Sequence, residues 1–168
     1  CPGITVSALN IDTIIWGTAT KILVDVQYSE ESPACGIPRK LCIKGEFDER
    51  LRQSLTGVTL TGTQVEASFY NDLAPQLGVP LPRHWFADSE PGMGVLILDN
   101  MAAQGFTFGA PTEAWPAERV SRALEILAVL HASTWGKRFP DLTWLKVGSD
   151  AVRGYTEYLM SAKHWQKQ

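Results

Sequence analysis

The apolar residues change period along this chain, and that change limits the folds open to it. Residues 9–16 and 20–28 are rich in Ile, Val, Thr and aromatics, the composition of strands. Gly17, Thr18 and Ala19 join them, a connection short enough for a tight hairpin. Residues 29–38 carry Pro33, Gly36 and Pro38 and read as a loop. A third strand over 39–46 points Leu41 and Ile43 one way and Cys42 and Lys44 the other. The period then becomes helical. Residues 64–77 set Phe69, Tyr70, Leu73 and Leu77 at helical spacing, with Thr61 or Thr63 as the cap and Gly78 and Pro80 as the stop. Residues 82–88 predict a fourth strand, 89–94 a turn, and Val95-Leu96-Ile97-Leu98 a buried fifth strand. After an irregular stretch through Gly105 and Gly109, residues 116–135 give the strongest helix, with Pro116 in its first turn and Gly136 at its end. Val120, Ala123, Leu124, Leu127, Ala128 and His131 form one stripe of it. A last helix is expected over 150–166. Strands followed by helices predict the α+β class, with an antiparallel sheet of about five strands and one helix between the third and the fourth.

Composition narrows the function classes. The 168 residues suffice for one domain with a core. A net charge of −3, with basic residues scattered or in short stretches at 50–52 and 163–167, argues against a nucleic-acid partner. No apolar run approaches the ~20 residues that cross a bilayer, and Cys1-Pro2-Gly3-Ile4 opens no signal-peptide pattern. Cys1, Cys35 and Cys42 are odd in number and lack C-x-x-C spacing, which suggests neither a disulfide framework nor a zinc site. Reduced thiols and a cytoplasmic location are the expectation. His84, His131 and His164 have no metal-ligand partner at helical spacing. His131, among apolar neighbours, reads as a core histidine. Trp115, Trp135 and Trp144 either line a cleft or pack.

One pair of residues points to chemistry. Glu66 precedes Phe69, Tyr70 and Leu73 by three, four and seven residues, so it lies on the inward face of its helix. A carboxylate there needs a cation or hydrogen bonds. Lys44, on the preceding strand and opposite in orientation to Leu41 and Ile43, is the candidate partner. A lysine held this way reaches phosphates as a point charge, and the carboxylate restricts where it goes. The competing reading is an exposed lysine and a helix-surface glutamate that never meet.

The order hairpin, lysine strand, glutamate helix, strand, apolar strand and linker is that of a kinase N-lobe. Val65-Glu66-Ala67-Ser68-Phe69-Tyr70 resembles the E-x-x-F-Y helix of the aminoglycoside phosphotransferase-like superfamily, closest to its ecdysteroid kinase-like and choline-kinase-like branches. Gly94-Val95-Leu96-Ile97-Leu98-Asp99-Asn100-Met101 resembles the hinge of that superfamily, and Leu124-Glu125-Ile126-Leu127-Ala128-Val129-Leu130-His131-Ala132 its L-A-x-L-H-A second-lobe helix. The resemblance covers about residues 10–140. It implies a kinase-like N-lobe over 1–101 and a linker with the beginning of a helical C-lobe over 102–168.

The resemblance also implies roles. Lys44 binds the phosphates of ATP and Glu66 anchors Lys44. Gly17, Thr18, Ala19 and Thr20 form the loop over the phosphates, with a plain hairpin turn as the other reading. Backbone groups of Asp99, Asn100 and Met101 meet the adenine edge. His131 is structural in that superfamily. Its catalytic H-G-D-x-x-x-x-N loop and its later metal-binding aspartate are not found in this sequence, so the chain offers no catalytic residue and no metal ligand. The Mg2+ ligands are expected beyond Gln168. The implied function is the N-terminal portion of an ATP-dependent phosphotransferase acting on a hydroxyl of a small molecule. The alternatives are a non-catalytic kinase-like module that binds a nucleotide or a partner, and an unrelated α+β binding domain. The apolar stripe of the helix from Pro116 is expected to be exposed and to favour self-association.

Overall fold

A computed structural model describes residues 4–29, 36–50, 62–110, 112–145 and 160. The helix expected over 150–166, together with Cys1, Cys35, Thr61 and His164, lies outside the described residues apart from Met160. The described residues form an α+β structure: one antiparallel sheet of five strands and two helices. The strands are β1 (Val6–Ile15), β2 (Thr20–Tyr28), β3 (Lys40–Gly45), β4 (His84–Glu90) and β5 (Met93–Asp99), in the spatial order β1-β2-β3-β5-β4. The helices are α1 (Gly62–Ser68), between β3 and β4, and α2 (Ala117–Thr134). No described helix is long and apolar enough to cross a membrane.

Alternation along β5 explains why its sequence is apolar throughout. Leu96 and Leu98 face α1 and pack with Ala67 and Tyr70, supported by Phe69, Ala74 and Ala87. Ile97 faces the other side, where it joins Val24, Val26 and Leu41 with Ile22, Tyr28, Ile43 and Trp85. The sheet therefore has apolar residues on both faces, and a strand central to it must be apolar at every position. Leu96 is fully buried, a contribution of roughly 2 kcal/mol by area. β1 is the opposite case. Paired only with β2 among the described strands, it leaves Val6, Leu9, Ile11, Ile14 and Ile15 exposed. Register shifts between Val6 and Ala8 and between Ile11 and Thr13 interrupt its ladder, the kind of irregularity that blunts an edge strand. Lys40 ties the three strands of this half together, reaching Asp12 and Asp25 at 2.9 Å each.

Several local expectations are corrected. The turn expected over 89–94 contracts to Pro91-Gly92, because β4 and β5 extend to Glu90 and from Met93. A left-handed glycine in the second position (φ 87°) is what a type II turn requires, and proline is favoured in the first. The helix expected over 64–77 stops being regular after Ser68. A π-helical turn, Phe69–Leu73, and a short tight turn, Ala74–Gln76, follow. Pro75 supplies the reason: it has no N–H to give and its ring crowds the preceding turn, so Ala74 bonds back to the Phe69 carbonyl instead. Thr63 does not cap α1. It lies within the helix, and its buried hydroxyl has no partner among the described residues.

α2 ends within a residue of the bounds expected for it, with Pro116 just before its first residue. None of its residues is buried. Val120, Leu124 and Leu127 of the expected stripe are exposed, and so are Ile126 and Val129 outside it. His131 is exposed as well, so it is not a core histidine. Trp115 and Trp135 are also exposed, although Trp115 stacks under the Arg119 guanidinium at 4.3 Å. Trp144 is half-buried and donates its indole N–H to Asp72 at 2.6 Å, tying the segment after α2 to the π-helical turn.

Candidate functional site

β3 and α1 bring the two residues of the sequence argument together. Lys44 pairs with Leu96 across the β3–β5 ladder, and Leu96 faces α1, so Lys44 faces α1 too. Its ammonium meets both carboxylate oxygens of Glu66, at 2.8 and 2.6 Å. The two side chains are 19% and 29% exposed. That half-burial sets the character of the pair. It is dry enough to hold one geometry, yet open enough for Lys44 to meet a solvent-borne anion.

The hairpin loop lies at the same end of β3. Lys21 pairs with Lys44, and Thr20 with Gly45, so residues 17–19 lead directly into the strand beside the lysine. A side chain at Gly17 would meet open space, and Thr18 is exposed. Thr20 is fully buried and its hydroxyl donates to the Gly17 carbonyl at 3.2 Å, which closes the turn on itself. At the other end of β3, Asp99 pairs with Leu41. Lys44 and Asp99 are thus offset by three residues along the strand, roughly 10 Å at the usual rise.

The segment after β5 is fixed by its own side chains. The Asp99 carboxylate accepts the Trp85 indole N–H at 2.8 Å and the Gln104 amide at 2.9 Å. Asn100 is buried, and its side-chain oxygen accepts the Ala103 N–H at 3.2 Å. The Asp99 carboxylate is spent on structure, and much of the backbone here is bonded too. The Asp99 and Asn100 N–H groups donate to the Arg83 and Lys40 carbonyls, and the Met101 carbonyl accepts from Gln104 and Phe106, so the Asn100 carbonyl and the Met101 N–H are the groups without a partner among the described residues. Backbone groups are also all that the resemblance assigns to residues 99–101.

Cys42 lies on the same face of β3, two residues before Lys44, and is buried. Burial pushes its thiol above the ordinary value, partly offset by the charges of Lys21 and Lys44. The neutral thiol therefore dominates at pH 7, and the thiolate is the reactive form. Alkylation of Cys42 by iodoacetamide at pH 7 is expected to be at least about tenfold slower in the native chain than in urea. Equal rates, read on the peptide that contains Cys42, would contradict its burial. Tyr70 is likewise raised, by burial first and by the Glu66 carboxylate second.

Sequence reasoning missed Glu46. It is 3% exposed and accepts the backbone N–H of Thr63, in the first turn of α1, at 3.0 Å, and that of Gly94, on β5, at 2.8 Å. The signal was present in the numbering: Glu46 and Lys44 are two residues apart and so share a side of an extended chain. Among the described residues no three His, Cys, Asp or Glu side chains cluster as metal ligands. No family model matches the chain, and no curated protein matches it.

Proposed function

We propose that the Lys44–Glu66 pair is the phosphate-anchoring element of an ATP site, and that the chain is the nucleotide-binding part of a phosphotransferase acting on a hydroxyl of a small molecule. The observation that carries this reading is the bidentate contact between Lys44 and Glu66, made across β3 and α1 by residues 22 apart in sequence. A glutamate that holds a strand lysine in one place orders the cation before the ligand arrives, which lowers the cost of binding a polyphosphate. Three further features support it. Among the described residues, the five-stranded antiparallel sheet with α1 between β3 and β4 is compatible with a kinase-like N-lobe. The loop of Gly17, Thr18 and Ala19 joins the strand next to Lys44. Asp99 to Met101 sit at the opposite end of β3, at a separation suited to a base whose phosphates reach Lys44. In this reading Lys44 neutralises phosphate charge, Glu66 orients Lys44, and the backbone of residues 99–101 receives the base. Magnesium accompanies the nucleotide, and the reading assigns it no ligand among the described residues.

Thermal unfolding with and without magnesium-ATP tests this. At about 100 times its dissociation constant, ATP is expected to add roughly 2.7 kcal/mol of stability, a shift of roughly 5–10 °C for a chain of this size. The shift is expected to vanish in Lys44→Ala. An equal shift in wild type and Lys44→Ala would remove Lys44 from the site, and no shift in the wild type would count against the nucleotide.

A further inference from the structure

Glu46 is a charged side chain almost completely removed from water, which is costly unless strong hydrogen bonds compensate. It makes two, both from backbone amides, and the amides belong to two different elements: Thr63 on α1 and Gly94 on β5. Charge-assisted bonds of this kind are the stronger class and fix distance as well as direction. The elements also meet unusually closely. A Cβ on Gly94 would lie 2.3 Å from the Thr63 carbonyl carbon, so backbone touches backbone at the point where Glu46 inserts. Glu46 thus fastens the start of α1 to the sheet. Both ends of the clamp adjoin the candidate pair. Thr63 and Glu66 lie within one turn of α1, and Glu46 directly follows β3, two residues after Lys44.

We propose that Glu46 is a positioning residue for the Lys44–Glu66 pair: by clamping the first turn of α1 to β5, it sets the place along the sheet at which Glu66 meets Lys44. The proposal rests on the reading of that pair as the phosphate anchor. It makes the geometry of the cation depend on a carboxylate that itself stays buried and touches no ligand. Gln in place of Glu46 keeps the size but offers an NH2 group to one of the two amides, which leaves one donor unpaired and loosens α1 from the sheet.

The test reads the pair directly and needs no nucleotide. Each lysine of the purified chain is acetylated with an N-hydroxysuccinimide ester, and rates are followed peptide by peptide. Lys44 held by Glu66 reacts slowly. Glu66→Gln frees it and raises its rate by about fivefold, and Glu46→Gln is expected to raise it comparably. Lys40, held by Asp12 and Asp25, stays at its wild-type rate in both and reports that the sheet is intact. A Lys44 rate unchanged in Glu46→Gln but raised in Glu66→Gln overturns the role of Glu46 and leaves the pair standing. A rate unchanged in Glu66→Gln removes the pair, and with it both the proposal and the nucleotide reading. Where Lys40 also accelerates in Glu46→Gln, the fold has been lost. Glu46→Asp, which keeps the charge and shortens the reach, is then read in its place by the same criterion. Loss of the fold in that variant too makes Glu46 a determinant of folding and overturns the positioning role.

Discussion

Gly94→Ala is expected to destabilise the chain by about 3 kcal/mol or more, the upper end of what overpacking costs. The added methyl would sit 2.3 Å from the carbonyl carbon of Thr63, 2.4 Å from its oxygen and 2.6 Å from the amide nitrogen of Gln64. All three are backbone atoms, so no side chain can rotate away and α1 must move off β5 as a body. That movement also stretches the bonds from Thr63 and Gly94 to Glu46. Stability of small domains is of order 5–15 kcal/mol, so the loss is a large share of the whole. Gly78→Ala is the control, because nothing lies within 4 Å of a Cβ there. Urea unfolding should show a much lower midpoint for Gly94→Ala and a nearly unchanged one for Gly78→Ala. Equal midpoints for the two variants would mean that the close approach of α1 and β5 does not exist in solution.

The parts of this site that were legible in the sequence are those governed by local period. Alternation along β3 put Lys44 opposite Leu41 and Ile43, and helical spacing put Glu66 on the side of Phe69, Tyr70 and Leu73. Two orientations known independently then met in space at 2.6 and 2.8 Å. What was not legible depends on contacts between elements. Glu46 closes the strand expected over 39–46 on the side of Lys44, but no local pattern shows that α1 and β5 meet there, and only their nearness makes it a buried clamp. Pro75 falls inside a convincing helical stripe, and its consequence, a π-helical turn rather than a simple end, depends on how Ala74 finds another carbonyl. His131 reads as buried because its helix carries a good apolar stripe. A stripe states which face prefers burial, and α2 buries none of its residues. Asp99 matched the hinge of the resembled superfamily by position, but its carboxylate is occupied by Trp85 and Gln104, partners 14 and 5 residues away that no local pattern connects to it.

The second large effect concerns Lys44 itself. If ATP lies with its phosphates at Lys44, a reactive group on the terminal phosphate is delivered to that amine, and the reaction becomes effectively intramolecular. A mixed anhydride of ATP with a biotin acid supplies such a group. The lysine amine attacks the acyl carbon, the bond from that carbon to the phosphate oxygen breaks, and ATP leaves. Acylation of Lys44 is expected to exceed that of Lys21 and Lys40 by on the order of a hundredfold or more. Lys21 is an informative reference because it is the cross-strand neighbour of Lys44 on the same face, while Glu66 bonds to Lys44. Whether Lys44 and Glu66 anchor the phosphates of a nucleotide is decided by mapping the acylated lysines by mass spectrometry, with and without excess ATP. With that anchoring, Lys44 is labelled first and ATP protects it. Labelling of Lys44 no faster than Lys21 and Lys40, with no protection by ATP, would contradict it.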